Sequence, residues 1–220
     1  MGEDERAPGV TGGQVGRVLT PWESSVGGIP LARILPCRER VSIGPFVELE
    51  RVGPLYMEPG IGLQMGPIPR VGVATITYPI QGEVIHRDSL GTEQLLTPGD
   101  LNLVVAGSGL TASERSPQDV LEAGGVLDGL RMTLLLEEQD SDCDPRFVRY
   151  PADDLVSTEG EGWFARVLIG TGLGVTSPCQ FAGAFLADVT LAAGARLDFE
   201  ADFAERGALA AERDACIEGV

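Results

Sequence analysis

Residues 60–117 turn too often for helices of ordinary length. The stretch reads GIGLQMGPIPRVGVATITYPIQGEVIHRDSLGTEQLLTPGDLNLVVAGSGLTASERSP. Residues 71–78 (VGVATITY) are rich in β-branched side chains, which suit a pleated, half-buried surface. Gln81-Gly82, Ser89-Leu90-Gly91, Thr97-Pro98-Gly99-Asp100 and Gly107-Ser108-Gly109 are turn signals. Between them, residues 83–88, 93–96, 101–106 and 110–115 read as strands, with 83–88 as the hairpin partner of 71–78. Pro79 has no N–H to give a ladder, so it fits only a strand end or a bulge. Short strands divided by turns at this interval predict a barrel or sandwich.

The flanks carry the same pattern. Residues 15–19, Ile29–Leu35 and 45–49 read as strands before the breaks at Gly53-Pro54 and Glu58-Pro59-Gly60. The pattern restarts at Val126, with strands over 130–136, 162–169, 185–191 and 196–199. Residues 204–213 read as a further strand, although propensity alone allows a short helix there. Residues 117–123 are the best helical candidate, with Pro117 at the start. Glycine and proline supply 45 of the 220 residues without a fixed period, which fits an all-β chain and excludes collagen.

The net charge of −17 opposes binding to nucleic acid or to an anionic membrane surface. Apolar runs are too short for a membrane span, and the polar start MGEDERAPG has no apolar signal segment. Cys37, Cys143, Cys179 and Cys216 are far apart, without the CxxC spacing of a zinc site. Reduced thiols in a cytoplasm are the expectation. The acidic loop 137–145 spaces Asp140, Asp142 and Asp144 as a calcium loop would. It lacks the glycine such a loop needs at its sixth position, so it reads as solvated.

Several motifs resemble the pirin family of the cupin superfamily. They begin at Gly44-Pro45-Phe46 and Gly53-Pro54 and sharpen at Thr75-Ile76-Thr77-Tyr78, Gly82-Glu83-Val84 and residues 86–91 (HRDSLG). Pro98-Gly99-Asp100, residues 106–109 (AGSG) and Ser113-Glu114 continue them. Residues 144–147 (DPRF), 165–170 (ARVLIG), Thr176-Ser177-Pro178, 188–191 (DVTL) and 194–197 (GARL) resemble the second pirin domain. The resemblance implies an all-β bicupin: a flexible tail over 1–13, a first jelly-roll barrel over 14–127 and a second over 128–220, shortened at its end. An open strand edge there would invite a homodimer. Family members hold iron or another transition metal in the first barrel, through three histidines and one glutamate, and none in the second. Some resemble quercetin 2,3-dioxygenases; others are redox-linked regulators that act through protein contacts.

At the positions matching that metal site, this chain carries Ile68, Arg70, Ala112 and Glu114. Only Glu114 keeps a ligand type, and Arg51 stands where a further family histidine is found. Ile68 and Ala112 have no donor atom, and Arg70 is permanently cationic. No metal or other cofactor is therefore expected. Two arrangements are open: an Arg70–Glu114 ion pair in the former metal cavity, or Arg70 extended to the barrel mouth with Glu114 facing water. His86, which belongs to the family's hairpin motif, is expected to hold the turn at Arg87-Asp88-Ser89. Trp22 and Trp163 are expected in core or interface packing rather than in a ligand pocket. The expected function is a binding or regulatory protein with a protein partner or a small aromatic ligand. The alternative is a quercetin 2,3-dioxygenase-like oxidoreductase with an altered site.

Overall fold

The computed structural model describes residues 17–199 and 203–211. The strands are β1 (Trp22–Val26), β2 (Ile29–Leu35), β3 (Phe46–Met57), β4 (Gln64–Arg70), β5 (Val73–Gln81), β6 (Val84–Asp88), β7 (Glu93–Leu96), β8 (Leu101–Val105) and β9 (Leu110–Arg115). After the single α-helix among the described residues, α1 (Gln118–Ala123), come β10 (Gly125–Leu135), β11 (Arg146–Tyr150), β12 (Val156–Gly160), β13 (Trp163–Ile169), β14 (Thr171–Gly172), β15 (Val175–Thr176) and β16 (Leu186–Leu191). The fold is all-β, as the turn density predicts.

A seven-stranded sheet runs in the order β1-β2-β3-β10-β5-β8-β11, and a four-stranded sheet runs β4-β9-β6-β7. They face each other as a jelly-roll barrel. The expected boundary after residue 127 falls inside β10, which pairs with β3 on one side and β5 on the other. The second half adds a sheet β12-β13-β16 and the small ribbon β14-β15. Its first strand, β11, pairs with β8 and so extends the large sheet of the first barrel.

Several local expectations are corrected. The strand β6 pairs with β7 and β9, not with β5. Gly82 (φ +82°) turns the chain from one sheet into the other, and a Cβ there would meet the Val126 carbonyl oxygen at 2.1 Å. β3 runs straight through Gly53-Pro54, because a register shift opposite Leu127 and Gly129 accommodates the pair. Pro79 does sit at such a shift, opposite Gly129. The first strand is β1, whereas Arg17–Leu19 of the expected 15–19 strand has no regular structure and Val15 lies outside the described residues. Residues 196–199 and 204–211 form neither strand nor helix, and 212–213 lie outside the described residues.

Alternation along the large sheet gives it two unlike faces. Ile76, Tyr78, Leu101, Leu103, Met132 and Leu134 point away from the barrel and bury against Leu155, Leu168, Ile169 and Cys179 of the second half. On that side the Tyr78 hydroxyl donates to Asp188 Oδ2 at 2.8 Å. Burial, followed by the Asp188 charge, pushes the Tyr78 phenol well above its ordinary value. The opposite face lines the barrel. One end of that interior is apolar, packed by Ile29, Leu31, Val52, Met65 and Val84; its middle is charged.

Candidate functional site

Six residues stand opposite one another across the large sheet: Arg33, Glu50, Arg131, Thr77, Asn102 and Arg149, one from each of β2, β3, β10, β5, β8 and β11. Directly opposed residues share a face, so the row projects as a unit into the barrel. Glu50 forms ion pairs with Arg33 and with Arg131 (Nη1–Oε2 3.0 Å). Arg131 also reaches the opposite sheet, with Nε 3.2 Å from Glu114 Oε2. That approach is an ion pair without hydrogen-bond alignment, since Glu114 Oε2 has no hydrogen-bond partner. The Thr77 hydroxyl donates to the other oxygen, Glu114 Oε1.

The neighbouring row places Glu48 beside Thr133 and Thr75. Arg70 Nη1 donates to Glu48 Oε2 at 3.1 Å, and the Thr133 hydroxyl donates to the same oxygen at 2.5 Å. Burial pushes the Glu48 carboxyl up, but the Thr133 hydroxyl and the Arg70 guanidinium outweigh it and hold the group below its ordinary value. Arg70 is therefore bonded to Glu48 and not to Glu114. The Arg70–Glu114 pair does not form, because Arg131, arriving from β10, already takes the Glu114 carboxylate.

All four expected site residues face one chamber. Ile68 and Ala112 are cross-strand partners on β4 and β9, and Glu114 lies opposite Met65 on one side and His86 on the other. The chamber measures about 30 Å³ and is also bounded by Glu48, Glu50, Arg131 and Thr77. That is room for one or two water molecules. Arg51 lies outside this group, paired with Asp128 (Nη2–Oδ2 2.9 Å). Glu48, Glu50 and Arg131 are the residues missed from the sequence. Their signal was a charge at every second position of a strand, Glu48-x-Glu50, and a lone arginine inside the apolar run LRMTLLL.

His86 is buried on the chamber wall and stacks on Phe147 with ring centroids 4.8 Å apart. Its Nε2 lies 3.1 Å from Asp88 Oδ2, and the Leu90 and Thr92 amides donate to Asp88 Oδ1. Histidine and turn are thus tied together, as expected. Burial raises the Asp88 carboxyl, and the bonds from His86, Thr92 and Leu90 overcome that and lower it. Asp100 behaves alike: burial raises it, while the Thr97 amide, Arg149, the Thr97 hydroxyl and the Ala152 amide bring it down. Trp22 is 45% exposed, with its ring over the Arg33 guanidinium at 5.2 Å, so of the expected core or interface packing the core half does not hold.

These carboxyls set an acid limit. Each has a lower pKa folded than unfolded, so its contribution is present above the unfolded value and lost as pH falls through the folded one. Stability is expected to hold from about pH 7 to about pH 5 and to drop steeply below about pH 4, where ordinary carboxyls titrate. Urea midpoints measured across that range check this; a flat profile would contradict it.

Among the described residues, no three His, Cys, Asp or Glu side chains converge to hold a metal ion. Cys37, Cys143 and Cys179 are free thiols; burial pushes Cys179 up to about 11, which makes it a poor nucleophile. No helix among these residues is long and apolar enough to cross a membrane.

Residues 29–132 match the family model for pirin. A pirin-like protein of Caulobacter vibrioides is 32% identical over 207 residues, covering 92% of this chain and 71% of that one. A Pseudomonas aeruginosa protein provisionally named quercetin 2,3-dioxygenase is 38% identical over 154 residues, 70% of this chain and 47% of its own length. The crystal structure of quercetin 2,3-dioxygenase from Acinetobacter baumannii superposes with a TM-score of 0.73 at 32% identity, over 78% of this chain and 56% of that one. This chain therefore spans about half the length of these two dioxygenase-named relatives. The Caulobacter likeness extends over most of both sequences, and the matched model runs from β2 well into β10. On that likeness and on its jelly-roll build, the chain belongs to the pirin family.

Proposed function

We propose that this pirin-like chain acts by binding, as a regulatory protein without a metal, and not as a metal-dependent oxygenase. One observation carries the reading. Every carboxylate in the barrel chamber already has a guanidinium: Glu48 has Arg70, Glu50 has Arg33 and Arg131, and Glu114 has Arg131. A transition metal needs several free nitrogen or oxygen donors with an open position. Here cations of the chain itself stand beside those carboxylates where a metal ion would have to sit, and Ile68 and Ala112 contribute carbon alone. The residues present do not fit iron, nickel or copper. The partner is a protein or a small aromatic molecule, the compartment is the cytoplasm, and self-association into a homodimer belongs to the same proposal.

The second reading is a quercetin 2,3-dioxygenase-like oxidoreductase with an altered site, favoured by the names of the 38%-identical Pseudomonas relative and the Acinetobacter structure. A chamber of about 30 Å³ stands against it, since sites for small organic molecules run to ~300–1,000 Å³. Metal analysis of the purified chain after incubation with iron(II), nickel(II) and copper(II), followed by a flavonol oxidation assay, separates the two. Substoichiometric metal and no turnover are expected. One metal per chain with oxidation of quercetin would overturn the binding reading.

A further inference from the structure

Residues 203–211 run along the loop between β2 and β3 and on to Arg51 of β3, without regular structure. Among the described residues, no backbone-to-backbone hydrogen bond joins this segment to the barrel. Side chains make the contacts instead. Phe203 stacks on Phe185 of the second half, with centroids 6.0 Å apart. Glu205 then reaches the loop: Arg40 Nη2 pairs with its Oε1, and the Gly44 amide donates to its Oε2 at 2.7 Å. Gly207 lies against Ile43 of the same loop, whose Cδ1 would be 2.7 Å from a Cβ placed there. Further along, Arg51 Nη1 donates to the Ala211 carbonyl oxygen.

A bound peptide is held in this way, whereas a strand is fixed by its ladder over its whole length. Residues 204–211 are exposed, so little apolar burial ties them down, and such segments are the first parts of a fold to open. The recognising groups are on the loop side. The Gly44 amide and the Arg40 guanidinium take one carboxylate oxygen each, and the amide, followed by the Arg40 charge, holds the Glu205 carboxyl below its ordinary value. Glycine two positions on lets Ile43 close on the backbone. The segment reads FAERGALAA and has no net charge, since Arg206 offsets Glu205. The loop therefore selects one placed carboxylate and not an acidic chain, which a net charge of −17 would repel.

We propose that residues 40–44 together with Arg51 form a docking site for an extended segment of a protein partner, one with a carboxylate residue followed two positions later by glycine, and that residues 203–211 fill this site from within the chain until such a segment displaces them. The proposal rests on the binding reading above and gives the partner a chemistry and a place outside the barrel chamber.

The probe is a fluorescein-labelled peptide FAERGALAA added to the full chain, read by anisotropy and by amide chemical shifts. A tethered segment competes at an effective concentration on the order of millimolar, so the parent chain should bind the peptide weakly. Glu205→Ala, which removes the internal anchor, should bind it about tenfold more tightly, with shifts at Ile43, Gly44 and Arg51 and none at Thr77 or Glu114. Adding Arg40→Ala to that variant, or replacing the glutamate of the peptide with alanine, should abolish the gain. The Arg40 and Glu205 side chains are 43% and 41% exposed, so both variants should keep the fold, and unchanged urea midpoints check that. No saturable binding to Glu205→Ala, equal affinity in the parent and Glu205→Ala, or an alanine peptide that binds as well would each overturn the site. A parent chain that sediments as a dimer and is split by the peptide would give the place to a second copy and overturn the outside partner. The outcome is separable from that of the metal assay. Metal uptake with turnover would sink the binding reading and leave peptide docking at Gly44 untouched. Failure of the peptide to bind would remove this site and leave the barrel metal-free.

Discussion

Replacing Arg131 with methionine is expected to lower folding stability by about 3–5 kcal/mol, the usual cost of stripping one partner from a buried ion pair. Arg131 lies between two carboxylates from different sheets, Glu50 at 3.0 Å and Glu114 at 3.2 Å. Glu50 and Glu114 are only 6% and 4% exposed, so bulk water cannot replace the lost charge. Methionine keeps much of the stem volume, and the loss is therefore electrostatic rather than a cavity. Glu50 retains Arg33, whereas Glu114 is left with the Thr77 hydroxyl alone. Most of the penalty should fall on Glu114. The double variant Arg131→Met with Glu114→Gln should recover a large part of it, since a neutral amide needs no counter-charge. Urea unfolding of the parent, both single variants and the double completes the cycle. A single Arg131→Met variant within about 1 kcal/mol of the parent would mean that this network does not hold the barrel interior.

A chain ending at residue 140 is expected not to fold, although it contains the whole stretch that matches the family model. It would lose β11, leaving β8 as an open edge. It would also bare the outer face of the large sheet. Ile76, Leu103 and Leu134 owe exposures of 1%, 4% and 0% to a core that includes Leu155, Leu168 and Ile169. A contiguous apolar sheet face of this kind aggregates when uncovered. Circular dichroism and NMR dispersion of the fragment check the expectation, and a soluble fragment with a sharp, cooperative melt would contradict it. Leu168→Ala in the full chain tests the same contact more gently, with an expected cost of about 2–5 kcal/mol.

The strands that read most clearly are those bounded by strong turn chemistry. Ile29–Leu35, Glu93–Leu96 and Leu110–Arg115 have the same limits in sequence and structure. β1, β11 and β12 escaped notice because WESSV, RFVRY and VSTEG mix polar and apolar residues without a clean period of two. Gly53-Pro54 read as a break because a proline cannot donate to a ladder. Its neighbours in space, Leu127 and Gly129, make the shift that admits it. Residues 83–88 read as a hairpin partner because they follow a turn; Gly82 instead sends them to the other sheet.

Residue types and their alternation were enough to settle the all-β class, and the resemblance to the pirin family was what singled out Ile68, Arg70, Ala112 and Glu114. Alternation decides which side chains share a face, and that information is local. Partners are not local. Arg131 lies 17 residues from Glu114 and 81 from Glu50, and only the pairing of β3 with β10 and the facing of β9 from the other sheet bring these charges into one chamber. The tertiary structure alone therefore decided that Glu114 pairs with Arg131, that Arg70 turns to Glu48, and that the space left between them is the size of water.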